Sequence, residues 1–256
     1  GNQNIGNVVL GDGVNGYVVH LRSDVTFDSL TVRPNATLEM YDKMLSFSAP
    51  RAVSNEGWIY LNDGGKLTNV LNLDTDSGTV IYRDTDSSIV QGFNIRDFGP
   101  GADYHDLRLE GGYMSPTQDI YRLQSDLHVG GSLTIGRAAF DANGFQTTVD
   151  GFTALTGGSV LTPYSPGYDG AAYYARTGDQ HFNGGLSLGY RANFYGGTGT
   201  VDVKNYLTVS TANFYAPSIL NLYGAQNYFQ WFNDIAGKFD PGTGTVNFLG
   251  SGPQTL

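Results

Sequence analysis

The sequence predicts an all-β fold, a right-handed parallel β-helix (β-solenoid) with coils of about 20 residues. Three observations predict it: short runs of apolar–polar alternation, turn dipeptides between the runs, and phrases that recur at a near-constant interval.

Alternation carries the secondary structure. Val25-Thr26-Phe27, Leu30-Thr31-Val32, Leu38-Glu39-Met40 and Leu45-Ser46-Phe47 each set apolar groups on one side and a polar group on the other. Leu107-Arg108-Leu109, Leu127-His128-Val129, Leu133-Thr134-Ile135, Leu186-Ser187-Leu188 and Leu207-Thr208-Val209 repeat the pattern. A strand half-buried against a core reads this way, because successive side chains point to opposite faces. The runs are shorter than the ~5–6 residues of ordinary strands. Gly-Gly, Asn-Gly, Asp-Gly, Pro-Asn and Ser-Gly separate them, and these dipeptides favour turns. No stretch has the i, i+3, i+4, i+7 spacing of an amphipathic helix.

Recurrence sets the architecture. Leu186-Ser187-Leu188 leads to Ala192-Asn193-Phe194-Tyr195, and Leu207-Thr208-Val209 leads to Ala212-Asn213-Phe214-Tyr215. The strand starts are 21 positions apart (207 − 186) and the Ala-Asn-Phe-Tyr motifs 20 apart (212 − 192). Leu133-Thr134-Ile135 before Ala139-Phe140-Asp141 follows the same plan, and Gly78-Thr79-Val80, Gly199-Thr200-Val201 and Gly244-Thr245-Val246 form a second recurring motif. Such a unit, with three short strands and turns, is one solenoid coil, and 256 residues hold roughly a dozen. A β-sandwich shares the alternation and is the alternative, although its strands run longer and lack a fixed period. The chain is expected to be a single domain, 1–256, with a loop or insertion at 163–181 where the pattern breaks.

Composition limits the function. With 36 Gly, 17 Tyr and 14 Phe the chain is heavily punctuated and still rich enough in rings for an extended core. The formal net charge of −10 argues against nucleic acid and against an anionic membrane surface. The absence of cysteine removes thiol chemistry, Cys-ligated zinc and disulfides. No run approaches the ~20 apolar residues of a membrane helix, so membrane insertion is not expected. No signal peptide is visible, and Gly1 in place of an initiator Met suggests a mature or trimmed chain.

Asp126-Leu127-His128-Val129-Gly130-Gly131-Ser132-Leu133-Thr134-Ile135, followed by Phe140-Asp141-Ala142-Asn143-Gly144-Phe145, resembles the repeats of bacterial secreted and surface β-solenoid proteins. These are of the filamentous-haemagglutinin-like adhesin or autotransporter-passenger type. Phe239-Asp240-Pro241-Gly242-Thr243-Gly244-Thr245-Val246-Asn247-Phe248 is similar to them as well. The resemblance touches about half of the chain and implies an extracellular or cell-surface stalk, fibre or adhesin; it carries over no catalytic residue.

Candidate sites follow from residue types. Asp74, Asp76, Asp84 and Asp86 form a doublet ten positions apart that offers calcium its oxygen ligands; paired Asx turns are the plainer reading. Asp103, His105, Asp106, Arg108 and Glu110 could supply an acid, a base and a cation for a polysaccharide lyase or glycoside hydrolase, against the plainer reading of a solvated coil face. His20, His105, His128 and His181 are dispersed without metal-ligand spacing. Tyr164, Tyr168, Tyr173, Tyr174 and Trp231 are candidate contacts for a carbohydrate or protein partner, or else core rings. Asn35-Ala36-Thr37 is a glycosylation sequon. Ile5, Val8, Val9 and Leu10 at one end, with Val246, Phe248 and Leu249 at the other, suit head-to-tail stacking or strand donation between copies, or contact with neighbouring repeats of a longer chain. The expectation is a non-enzymatic structural segment of a surface fibre, filament, stalk or adhesin; a carbohydrate-binding module is the alternative, and a lyase or hydrolase a second alternative.

Overall fold

A computed structural model describes residues 3–63, 65–85, 92–99, 101–111, 119–157, 170–224, 227–230 and 238–251. Among the described residues every regular element is a β-strand, and every strand pairing is parallel. The strands stack as a β-solenoid of about 9 turns of roughly 21 residues. Facing sheets of a sandwich are excluded, because each strand pairs with its counterpart one coil away.

One ten-stranded sheet, here called B, runs through the stack from Tyr17–Leu21 to Tyr228–Gln230. The other walls change partway. Early coils close with sheet A, built from Gln3–Leu10, Val25–Val32, Met44–Ala52 and Lys66–Asn72, with Ser54–Asn55 beside Val25–Val32. Later coils close with two sheets of short strands. Sheet C has seven, from Gly92–Asn94 to Lys238–Asp240, and sheet D six, from Leu127–Val129 to Thr245–Phe248. The three-strand coil read from the sequence therefore holds for the later turns, and the early turns use two longer strands.

Register also explains why a dozen coils was too many. Leu186 pairs with Leu207, 21 positions on (207 − 186). Thr79 to its partner Asp106 takes 27 positions (106 − 79), Leu107 to Leu133 takes 26 (133 − 107), and Thr153 to Leu186 takes 33 (186 − 153). The longest of these coils spans the segment 163–181 in which the sequence predicts a loop or insertion. Its latter part is regular, since Ala172–Tyr174 and Gln180–Phe182 are ordinary rungs of sheets C and D; residues 163–169 lie outside the described residues.

Parallel in-register stacking turns alternation into columns. On the inner face of sheet B, Leu38, Ile59, Val80, Leu107 and Leu133 lie directly over one another, then Thr153, Leu186 and Leu207. All of these are buried. In sheet C the middle inward position is aromatic on every rung: Phe93, Tyr121, Phe140, Tyr173, Phe194, Phe214 and Phe239. The Phe194 and Phe214 rings stack 4.7 Å apart and 3° from parallel, the strand spacing of ~4.8 Å fixing the ring spacing.

Two polar features tie the core. Where sheet A gives way to sheet C, the Arg96 guanidinium donates to the Leu67 and Val70 carbonyls at 2.6 and 3.1 Å and lies over the Phe98 ring. The Arg96 N–H donates to the Tyr82 hydroxyl at 3.2 Å, and the Tyr104 hydroxyl, 2.9 Å from that of Tyr82, donates to the Arg96 carbonyl at 2.8 Å. Deeper in the later coils, buried Gln180 accepts from the Tyr173 hydroxyl and donates to the Phe145 and Gly178 carbonyls. Burial without charge demands this satisfaction.

Corners are closed so tightly that side chains are excluded. A Cβ at Gly197, where φ is +67°, would sit 1.8 Å from the Arg176 carbonyl oxygen of the preceding coil.

Candidate functional site

Inward positions are filled by the core, so partners can be met only by outward columns, corners and end coils. The aromatic candidates divide by that parity. Tyr173 is fully buried and stacked between Phe140 and Phe194, so the expectation that it contacts a partner is corrected: it is a rung of the inner ladder. Tyr174 points outward and is half-buried. Its ring is parallel to Tyr195 at 4.8 Å, and Tyr195 is parallel to Tyr215 at 5.0 Å. Arg176 lies over the Tyr174 ring at 5.0 Å, and the Lys238 ammonium is 5.7 Å from the Tyr215 ring centre. Beside the rings the Asn213 side-chain amide donates to that of Asn193 at 2.8 Å. The Tyr faces are thus occupied by one another and by cations, and the column laces coils together. Tyr164, Tyr168 and Trp231 lie outside the described residues.

The acidic candidates are held by backbone. Asp74, at φ 76°, accepts from the Asn55 N–H at 2.7 Å and the Asp76 N–H at 3.2 Å. Burial pushes the Asp74 carboxyl up, but hydrogen bonds from Asp76 and Asn55 outweigh this and leave it below its usual range. The Asp76 carboxyl, hydrogen-bonded to that of Asp74, is raised. Asp84 is 2% exposed, and Asp86 lies outside the described residues. Among the described residues no group of three or more His, Cys, Asp or Glu is placed to hold a metal ion.

Asp103 is also buried. It accepts from the Phe98 N–H at 3.0 Å and the His128 N–H at 2.9 Å, and burial pushes its carboxyl up. Asp106 accepts from the Ser132 N–H at 2.6 Å. Glu110 binds Arg83 at 2.7 Å and Arg108 at 2.6 Å. Each carboxylate of this cluster therefore joins neighbouring coils. His20 with Glu39, His128 with Asp150 and His181 with Asp202 form cross-coil pairs at 2.8, 2.7 and 3.0 Å. The sequon residue Asn35 is an exposed turn residue at φ 63°.

The end candidates split as well. Ile5 and Val9 are exposed on the first strand, with Val8 and Leu10 packed partly on the core. At the other end Phe248 and Leu249 are exposed, and Val246 packs partly on the core.

The site that sequence reasoning missed lies in mid-stack on the outer face of sheet B. In Trp58–Asn62, Ile59 and Leu61 point in and Trp58 and Tyr60 point out. The next outward residues in register are Thr79 and Ile81, then Asp106 and Arg108. Together they line a cleft of about 530 Å³. Its signal was present in Trp58-Ile59-Tyr60-Leu61: two large rings occupy the polar phase of an alternating strand.

Comparison of the chain with protein families, with curated proteins and with solved structures finds no match.

Proposed function

We propose that the chain is a non-catalytic, rigid rod segment of an extracellular fibre, stalk or adhesin. The single observation that carries this reading is the unbroken parallel register of the ten-stranded sheet. Nine intervals at ~4.8 Å give a stack of ~43 Å whose every coil is bonded to its neighbours. Bending such a stack means breaking many backbone hydrogen bonds and unstacking the inner rings at once. The charged side chains of the acidic cluster serve coil-to-coil bonds, which also suits a scaffold.

Contact through the end coils is part of the reading. The strand Gln3–Leu10 pairs only with Val25–Val32, and Thr245–Phe248 only with Ile219–Leu222, so each leaves one edge open among the described residues. Exposed Ile5, Val9, Phe248 and Leu249 lie on these coils. A further coil, from another copy or a longer chain, would cover them and continue the ladder.

Small-angle scattering with sedimentation over a concentration series tests both parts. The monomer should scatter as a stiff cylinder, and concentration should lengthen the particle without widening it. Leu249→Asp should abolish the lengthening. A flexible or spherical particle overturns the rod, and a particle monomeric at high concentration overturns self-assembly.

A further inference from the structure

We propose that the mid-stack cleft on the outer face of sheet B binds an uncharged oligosaccharide, with the Trp58 indole as its stacking platform.

The exposure of Trp58 is of a different kind from that of the other outward rings. Tyr17 is 44% exposed but lies in the first coil, where an added coil would cover it, and Tyr223 is 42% exposed at a corner just past the strand Ile219–Leu222, not on a strand. Trp58 is 41% exposed although its strand is paired on both sides, with Ala36–Met40 and with Thr79–Arg83. With both flanking strands in place, an added coil would not cover it. Its neighbours in register are Thr37 and Thr79, two short side chains that leave the indole unstacked, in contrast to the Tyr174, Tyr195 and Tyr215 column. An exposed indole held on a rigid strand presents a flat apolar face at little entropic cost.

The rest of the cleft has the complementary polarity. Ile81, in register between Tyr60 and Arg108, is 2% exposed and forms an apolar floor. The hydroxyls of Thr79 and Thr134 line the wall and bond to no other described residue. A pyranose ring has apolar C–H faces and a rim of hydroxyls, and this lining offers one surface for each. The volume of about 530 Å³ lies in the range of small-ligand sites, ~300–1,000 Å³.

Charge selects against acidic glycans. Arg108 is bound by Glu110 at 2.6 Å, and Arg83, lying 4.3 Å over the Tyr60 ring, is bound by the same Glu110 at 2.7 Å. Arg83 and Arg108 set against Glu110 and Asp106 leave the cleft with no net positive charge to attract a carboxylate or sulfate, and the chain carries a net charge of −10.

The test is a glycan array bearing neutral, uronate and sulfated oligosaccharides, followed by calorimetric titration of the best neutral ligand. Trp58→Ala should weaken binding by roughly tenfold or more, as expected for removing a central aromatic anchor, with an unchanged melting temperature. Thr79→Arg, which places a long side chain in the cleft from an outward position, should block binding while Trp58 remains. Tyr195→Ala, on the other outward column, should bind as the unmodified chain does. Absence of neutral-glycan binding at millimolar concentration overturns the proposal, as does binding that survives both Trp58→Ala and Thr79→Arg. Binding confined to uronates or sulfates and abolished by salt overturns the assignment of an uncharged ligand.

Discussion

Phe194→Ala removes a fully enclosed rung of the inner aromatic ladder. Phe194 is fully buried, with Tyr173 stacked 5.0 Å to one side, Phe214 stacked 4.7 Å to the other and Phe182 edge-on at 6.1 Å. Deleting a buried ring costs ~3–5 kcal/mol through lost transfer energy and the cavity left behind. The coil cannot collapse to fill that cavity, because backbone bonds hold its neighbours at the strand spacing; the upper part of the range, ~4–5 kcal/mol, is therefore expected. Phe194→Leu keeps most of the volume and loses two stacked contacts of ~0.5–1.5 kcal/mol each, so its cost should be ~1–3 kcal/mol. Tyr195→Ala, one position on, also loses two parallel stacks but opens no buried cavity, and should cost ~1–2 kcal/mol. Guanidinium unfolding gives the global effect, and hydrogen exchange of the strand Asn193–Tyr195 gives the local one, since coils of a repeat stack can open separately. Equal losses for Phe194→Ala and Tyr195→Ala, or a loss under ~1 kcal/mol for the former, would refute the argument that inner rings hold the rod.

Three further outcomes rest on single contacts, and a fourth on the acidic turn. Thr153 interrupts the aliphatic column of sheet B with a buried hydroxyl that has no partner among the described residues, so Thr153→Val should raise stability by ~1 kcal/mol in the same unfolding assay. Gly197→Ala meets both a positive φ of +67° and the Arg176 carbonyl at 1.8 Å, and should cost ~3 kcal/mol, about 1 from backbone strain and ~2 from forcing the corner apart. Burial raises the Asp141 carboxyl, but hydrogen bonds from Arg176 at 3.0 and 3.1 Å and from the Asn143 N–H outweigh it and hold the group below its ordinary 3.8. A depressed carboxyl stabilises above the unfolded value and loses that stabilisation as pH falls through the folded one. The difference in stability between the unmodified chain and Arg176→Ala, under ~1 kcal/mol for this half-exposed arginine, should accordingly shrink below pH 3.8 in acid titrations. Millimolar calcium should leave the melting temperature unchanged, because Asp74 is committed to two backbone N–H groups and Asp84 is buried.

The sequence by itself determined the all-β class, the solenoid and the length of a regular coil. Those follow from local rules: alternation sets one face inward, glycine and asparagine turn the chain, and a constant interval brings like residues into register, as with Asn193-Phe194-Tyr195 over Asn213-Phe214-Tyr215. Parity within a run was legible too, and with it the inward Phe194 and the outward Trp58. What remained for tertiary structure was everything that depends on which coil lies next. Two adjacent tyrosines, Tyr173 and Tyr174, looked alike as ligand contacts until packing put one among Phe140 and Phe194 and the other against Tyr195. Asp103 and Asp106 read in sequence only as neighbouring acidic residues, and packing gave Asp103 the Phe98 and His128 N–H groups and Asp106 that of Ser132. The outer cleft needed five successive strands of sheet B to assemble, and where sheet A gives way to sheet C the Arg96 contacts reach across coils. A strand's own residues decide which side chains face outward; stacking against residues some twenty positions away decides whether those side chains are covered, paired or left open to a partner.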